Sequence, residues 1–425
     1  MSRATMILIV MALFVLFYFS GNYMLSPIIK TLHEEGLITG GENVWRLNAS
    51  LLKTVPGFVG LAFTFFLGVL GDRLGRRRLI LLLGIVMGVS LILVSTATNF
   101  YQLLTYLIMF GIGIVGISPI IYAFVADVVP GEGRGKGYAA YYAASVLGMV
   151  VGILLAGIFF HWRTAFLIAG SLTLVFGIGL HLLSEGVTIG YSERSEIGGY
   201  SLREAVKEAL TPSVVIVMAQ MITWAMPWGM LVYFAIEYVD TRWGIGQFYA
   251  SILIIVAAVS IAVGHIFGGV LSDRLVKKQG PLGRVKVSVL GIAVGYVAMV
   301  MMLAYPYPYG DTSLWALLPP FIIAALGMMF TTFAYPNIST VVSDCVKPEH
   351  RSTVFSLYNI LNNIGWAMGP FVYGALVALL SDAGIDTKVA MMYSAISVVS
   401  LWLISLGAWM LLAKHYPKDI ERVRT

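Results

Sequence analysis

One titratable side chain lies deep in an apolar stretch of this chain. His265 stands two turns before the acid Asp273 on a run that reads as a single helix. A histidine there could bind and release a proton near neutral pH. It could equally stay neutral and bond to a neighbouring helix. About 12 Å of helix separates it from Asp273, too far for a direct pair. No Asp, Glu, Lys or Arg falls in the central part of any apolar run; Lys53, Arg163, Glu237 and Asp240 fall near run ends. Zinc-type histidine pairs, a Gly-Lys-Ser/Thr phosphate loop and a nucleophile–base pair are missing. The expectation is therefore not an enzyme, with no cofactor and no metal.

The second kind of chemistry is uncharged: amides, hydroxyls and aromatic faces at helical spacing. Tyr18 and Asn22 lie four apart, and Tyr122 stands on a later run. Tyr138, Tyr141, Tyr142 and Ser145 share a face, as do Asn359, Asn362, Asn363 and Trp366 at i, i+3, i+4 and i+7. Gln220, Trp224 and Trp228 form a stripe, and Thr331 and Tyr335 another. An amide in hydrocarbon is costly unless it finds a partner or water, so the asparagine stripe is expected to face a water-filled cavity. Hydrogen bonding between helices is its rival. For each single aromatic, packing or an interfacial position is as good a reading as contact with a solute.

The elements that must position these groups follow from composition. The chain has 425 residues, 59% hydrophobic and only 11% charged, with a mean hydropathy of +0.88. That is too little charge to cover a water-facing surface, for which about 25% is usual. The reading is an all-α polytopic membrane protein, because lipid leaves no partner for an open strand edge. Twelve spans are expected, at 6–29, 50–71, 79–97, 101–126, 138–160, 164–184, 213–238, 247–272, 286–304, 314–342, 353–380 and 389–413. Residues 185–212 form a polar linker, with a short surface helix from Ser201, between a six-span half over 1–184 and another over 213–425. Most of the 27 lysines and arginines then fall on the side of the two termini, which places both in the cytoplasm. The net charge of +6 thus reflects topology, not nucleic acid. The single cysteine, Cys345, excludes an intrachain disulfide. The first apolar run has no cleavage site and reads as an uncleaved span.

Charge recurs in register. The loop Gly68-Val-Leu-Gly-Asp72-Arg73-Leu-Gly-Arg76-Arg77-Arg78 follows the second span. Gly269-Val-Leu-Ser-Asp273-Arg274 repeats its start 201 positions on. Asp127 and Arg134 recur as Asp344 and Arg351 at an offset of 217, as do Gly148, Gly152 and Gly157 as Gly365, Gly369 and Gly374. The glycines read as close helix packing. The loop resembles the signature between the second and third spans of the Major Facilitator Superfamily of secondary transporters. Pro119 to Asp127, the Arg134 region and His161-Trp162-Arg163 resemble its Spinster-type lipid transporters or organic-anion symporters. Those groups carry acids in the first and fourth spans, near where Asn22 and Gly116 stand here.

The resemblance implies two six-helix halves that give alternating access to a small organic solute. It also implies a cytoplasmic gate: Asp72 against the start of the eleventh span near Ser352, and Arg76 or Arg77 against Asp127. Gly68, Arg73, Arg134, Asp273, Arg274, Asp344 and Arg351 complete that gate. A neutral, amide-bearing and aromatic cavity suggests a neutral or amphipathic solute. The alternative is an exporter of amphiphilic compounds of drug or lysolipid type. A plasma-membrane monomer whose partners are solute and lipid, without nucleic acid, is expected. A sensor would need an added signalling domain, and a scramblase a groove open to lipid.

Overall fold

The computed structural model describes residues 3–128, 134–187, 202–347 and 351–424, with some side chains inside those ranges left undescribed. The described residues form helices and short connections. The chain divides into two compact units, Met1–Ser195 with Val232–Glu237, and Glu196–Leu231 with Tyr238–Thr425.

In the first unit the helices are α1 (Arg3–Tyr23), α2 (Leu25–Glu34), α3 (Trp45–Leu74), α4 (Arg76–Thr96), α5 (Phe100–Val128), α6 (Arg134–Leu154) and α7 (Trp162–Leu183). A π-helical turn, Leu155–Phe159, ends α6. After α8 (Leu202–Ala209) come α9 (Pro212–Trp243), α10 (Gly246–Gln279), α11 (Leu282–Leu303), α12 (Leu314–Thr331), α13 (Ala334–Cys345), α14 (Arg351–Asp382), α15 (Thr387–Val399) and α16 (Trp402–Arg424). Eleven stretches of the described residues are long and apolar enough to cross a membrane, with α1–α2, α12–α13 and α15–α16 each counting as one. The thirty residues of α3 occupy the place of the remaining expected span.

Two of the breaks have one cause. Pro27 is the third residue of α2 and Pro336 the third of α13. A proline there lacks only an N–H that has no helical partner anyway, but it cannot bond the carbonyl four residues back. Those carbonyls belong to Tyr23 and Thr332, and α1 and α12 end at Tyr23 and Thr331. The tenth span is therefore two helices, not one.

The internal repeat is visible as packing. In the first unit α3 and α4 each pack on α5, and α4 on α7; in the second, α10 and α11 each pack on α12, and α11 on α16. The glycines make the match residue by residue. A Cβ at Gly148 would lie 2.6 Å from the Leu16 carbonyl oxygen, and one at Gly152 would overlap that of Ser20. In the second unit a Cβ at Gly365 would lie 2.5 Å from the Ile222 oxygen, and one at Gly369 would overlap that of Met226. The seams between α1 and α6 and between α9 and α14 are thus copies, each closed backbone to backbone.

Candidate functional site

Charged side chains gather at the two ends of the first unit. At one end, Gly75 adopts φ 84°, a turn that glycine makes without strain, and starts α4 at Arg76. Arg76 Nη1 then reaches Asp127 Oδ1 near the end of α5 at 2.8 Å, with the Asp127 side chain 5% exposed. Arg77 takes a different partner: its Nε donates to the His181 carbonyl near the end of α7 at 2.8 Å. Gly68, Asp72 and Arg73 lie in the last turns of α3, and Arg134 begins α6, but their side chains fall outside the described residues. The same holds for Arg351 at the start of α14 and for Ser352, so the expected docking of Asp72 lies outside the description.

The second unit repeats this end with other partners. Arg284 at the start of α11 donates to Asp273 at 3.1 Å and stands 4.0 Å from Asp344. Asp344 also accepts from the Tyr416 hydroxyl at 2.5 Å. Arg274 is exposed. Arg284 and Tyr416 were outside the sequence reading; only the helix pairing brings them to Asp344.

At the other end of the first unit, Glu35 accepts from Trp162 Nε1 at 3.0 Å and faces His161 and Arg163. Nearby, Arg46 on α3 directs Nε and Nη2 to Oε1 of Glu237, and its guanidinium lies 4.4 Å above the Trp45 ring.

Between these ends lie the uncharged candidates. The ring centroids of Tyr122 and Tyr141 are 4.9 Å apart, and those of Tyr122 and Tyr142 are 6.1 Å apart. Tyr122 donates to the Tyr142 hydroxyl at 3.3 Å, and Ser118 and Tyr141 share a hydrogen bond of 2.9 Å. Tyr142 is 58% exposed. Phe19 bridges Tyr18 and Tyr141 by ring contacts, and the Tyr18 hydroxyl is buried. Ser145 turns back to the Tyr141 carbonyl. These residues form one tyrosine-rich cluster on α1, α5 and α6, with Tyr18 and Tyr141 buried and Tyr142 exposed. Asn22, on α1, accepts from Lys53 Nζ at 2.6 Å. Lys53 reads by sequence as one of the charges near span ends; its place seven residues after Arg46, on the same helical face, was the available signal.

In the second unit the candidates separate. Trp224 and Trp228 pack against Trp402, with ring centroids 6.2 and 5.5 Å away, and Trp402 Nε1 donates to the Trp224 carbonyl at 3.1 Å. The indole nitrogens of Trp224 and Trp228 and Oε1 of Gln220 are buried without hydrogen-bond partners. Thr331 bonds its own helix, at Gly327, and is fully buried, while the Tyr335 ring on α13 lies tilted against His265, with ring centroids 5.0 Å apart. His265 Nε2 is buried and makes no hydrogen bond. Asn359 is exposed and Asn362, Asn363 and Trp366 are half-buried; Asn363 donates to the Asn359 carbonyl at 2.8 Å.

Comparison with known proteins adds a second line. The family model described as Major Facilitator Superfamily matches residues 11–370. A bacillibactin exporter of Bacillus subtilis is 22% identical over 403 residues, covering 90% of this chain and 92% of its own. A gentisate transporter of Corynebacterium glutamicum is 22% identical, over 79% of this chain and 72% of its own. Among solved structures, a bacterial homologue of the human lysosomal transporter Spinster superposes with a TM-score of 0.79 at 18% identity, over 98% of both chains.

Proposed function

Because the chain belongs to the Major Facilitator Superfamily it is a membrane transporter, and we propose that it moves a small organic solute by opening alternately to the two faces of the membrane. The observation that carries the site is the hydrogen-bonded pair Tyr122–Tyr142, at the end of one membrane-capable stretch and near the start of another, with Tyr142 exposed. A phenol pair in that position offers a flat apolar face with a polar edge. Asn22 supplies a further polar group in the same unit, and the second unit presents a stripe of its own, with Asn359 exposed and Asn362 and Trp366 half-buried.

The ion pair Arg76–Asp127 and its counterparts at Asp273 and Asp344 act in this reading as a cytoplasmic gate, with Asp72 as the moving acid. Both termini are cytoplasmic, and the protein works as a monomer in the plasma membrane. Export of amphiphilic compounds is the second reading, favoured by the buried tryptophan cluster at Trp224, Trp228 and Trp402.

Counterflow into proteoliposomes tests the transport. Vesicles loaded with a metabolite mixture and placed in the same mixture carrying isotope label should accumulate a label saturably. If no solute exchanges faster than in protein-free vesicles, the reading is wrong. Efflux of a fluorescent amphiphile without metabolite exchange would favour the second one.

A further inference from the structure

Lys53 stands eight residues into α3, about 12 Å along the helix from Trp45. Its Nζ donates to Asn22 Oδ1 at 2.6 Å. An ammonium has three donors, and this contact uses one of them. Among the described residues, no carboxylate oxygen comes within the 4.0 Å of an ion pair. The acid on this side of α3 is taken: Glu237 is engaged by Arg46, on the same helical face. Lys53 and Asn22 are both half-buried. Asn22 turns its only acceptor to the lysine, and its Nδ2 makes no hydrogen bond among the described residues.

What remains unspent at this point is therefore all donor: two ammonium protons and two amide protons. A lysine in a membrane-crossing helix is costly against lipid, and such residues face protein interior or water and mark solute paths. Asn22 also lies between the half-buried rings of Phe19 and Tyr23, which stack at 6.4 Å, and Phe19 touches Tyr141 of the tyrosine cluster. A donor-only point beside an aromatic surface suits a solute with an anionic end and an apolar body. A cationic amphiphile would meet like charge there.

We propose that Lys53 and Asn22 bind the carboxylate of an organic acid, which this protein takes as its solute. The proposal rests on the transport reading above and gives it a substrate class. Of the neutral or amphipathic solutes expected from the sequence, it selects an amphipathic one with an anionic end. Lys53 supplies the charge, and Asn22 orients the lysine and adds an amide N–H to the second carboxylate oxygen.

The test is binding to the purified full chain, by tryptophan fluorescence titration and thermal midpoint, at fixed ionic strength. The probes are benzoate, phenylacetate and octanoate, each against its neutral amide. At least one acid should bind saturably, about tenfold or more tighter than its amide, because charge-assisted hydrogen bonds are the stronger ones. Lys53→Gln should remove that preference and Lys53→Arg keep it. Asn22→Asp sets a carboxylate where Oδ1 now stands, so it should block acid binding and raise the thermal midpoint. If Lys53→Gln does not fold, Asn22→Asp decides. Acid binding unchanged in the variant that decides, equal binding of acid and amide, or no binding of any acid overturns the proposal. Counterflow fails separately: exchange of a neutral solute alone would spare the transport reading and defeat this one.

Discussion

Arg46 directs Nε at 2.9 Å and Nη2 at 2.8 Å to the same oxygen of Glu237, and the two side chains are 3% and 1% exposed. These residues are 191 positions apart in the chain. Within the first unit, the segment Val232–Glu237 of α9 is thus fastened to the start of α3, where the Tyr233 hydroxyl also donates to the Ala49 carbonyl at 2.8 Å.

Removing one member of that pair strands the other in a place water does not reach. Arg46→Gln or Glu237→Gln should each cost about 3–5 kcal/mol. The double change Arg46→Met with Glu237→Leu should recover most of it. Thermal midpoints in detergent check this, and single variants as stable as the parent would refute it.

Asp127 is a similar case at the Arg76 end, and Arg274 is its exposed control. Asp127→Asn should lower the thermal midpoint, while Arg274→Gln should change stability by less than about 0.5 kcal/mol. If Asp72 is the moving acid of the gate, Asp72→Asn should raise labelling of engineered cysteines on the cytoplasmic side, measured after replacement of the buried Cys345. Unchanged labelling removes Asp72 from the gate.

The glycine seams admit no side chain. Gly152→Ala and Gly369→Ala should each destabilise by about 1–3 kcal/mol or more, since a Cβ would meet a backbone oxygen. A Cβ at Gly269 has nothing within 4 Å, so Gly269→Ala should be harmless by the same measurement.

His265 meets the Tyr335 ring, and its Nε2 meets no hydrogen-bond partner. Solute uptake above that of protein-free vesicles should therefore be insensitive to an imposed pH gradient. Should a gradient drive accumulation in the parent, His265→Gln should abolish it. Accumulation that survives His265→Gln would place the proton on a group outside this reading.

The architecture was legible because each of its signals is local or periodic. Apolar runs of span length, the cationic loop after the second span and glycines at a fixed offset all survive without knowledge of contacts. Partners across helices were not legible. Nothing in the sequence chooses Arg76 over Arg77 for Asp127; the helical phase of α4 does, sending Arg77 to the His181 carbonyl. Thr331 and Tyr335 read as one stripe because i, i+4 spacing assumes an unbroken helix, and the proline four residues after Thr332 breaks it. The partner of Lys53 was not legible either, because the amide that meets it in place of an acid sits on another helix.

The paired seams have a mechanical consequence. At each of these glycines backbone lies against backbone, with no side chain on the glycine to change rotamer and give slack. The couplets α1–α6 and α9–α14 cannot slide within themselves without separating these crossings. Whatever bending a transport cycle demands must be absorbed elsewhere, and the helix breaks before Pro27 and Pro336 are the natural places for it to go.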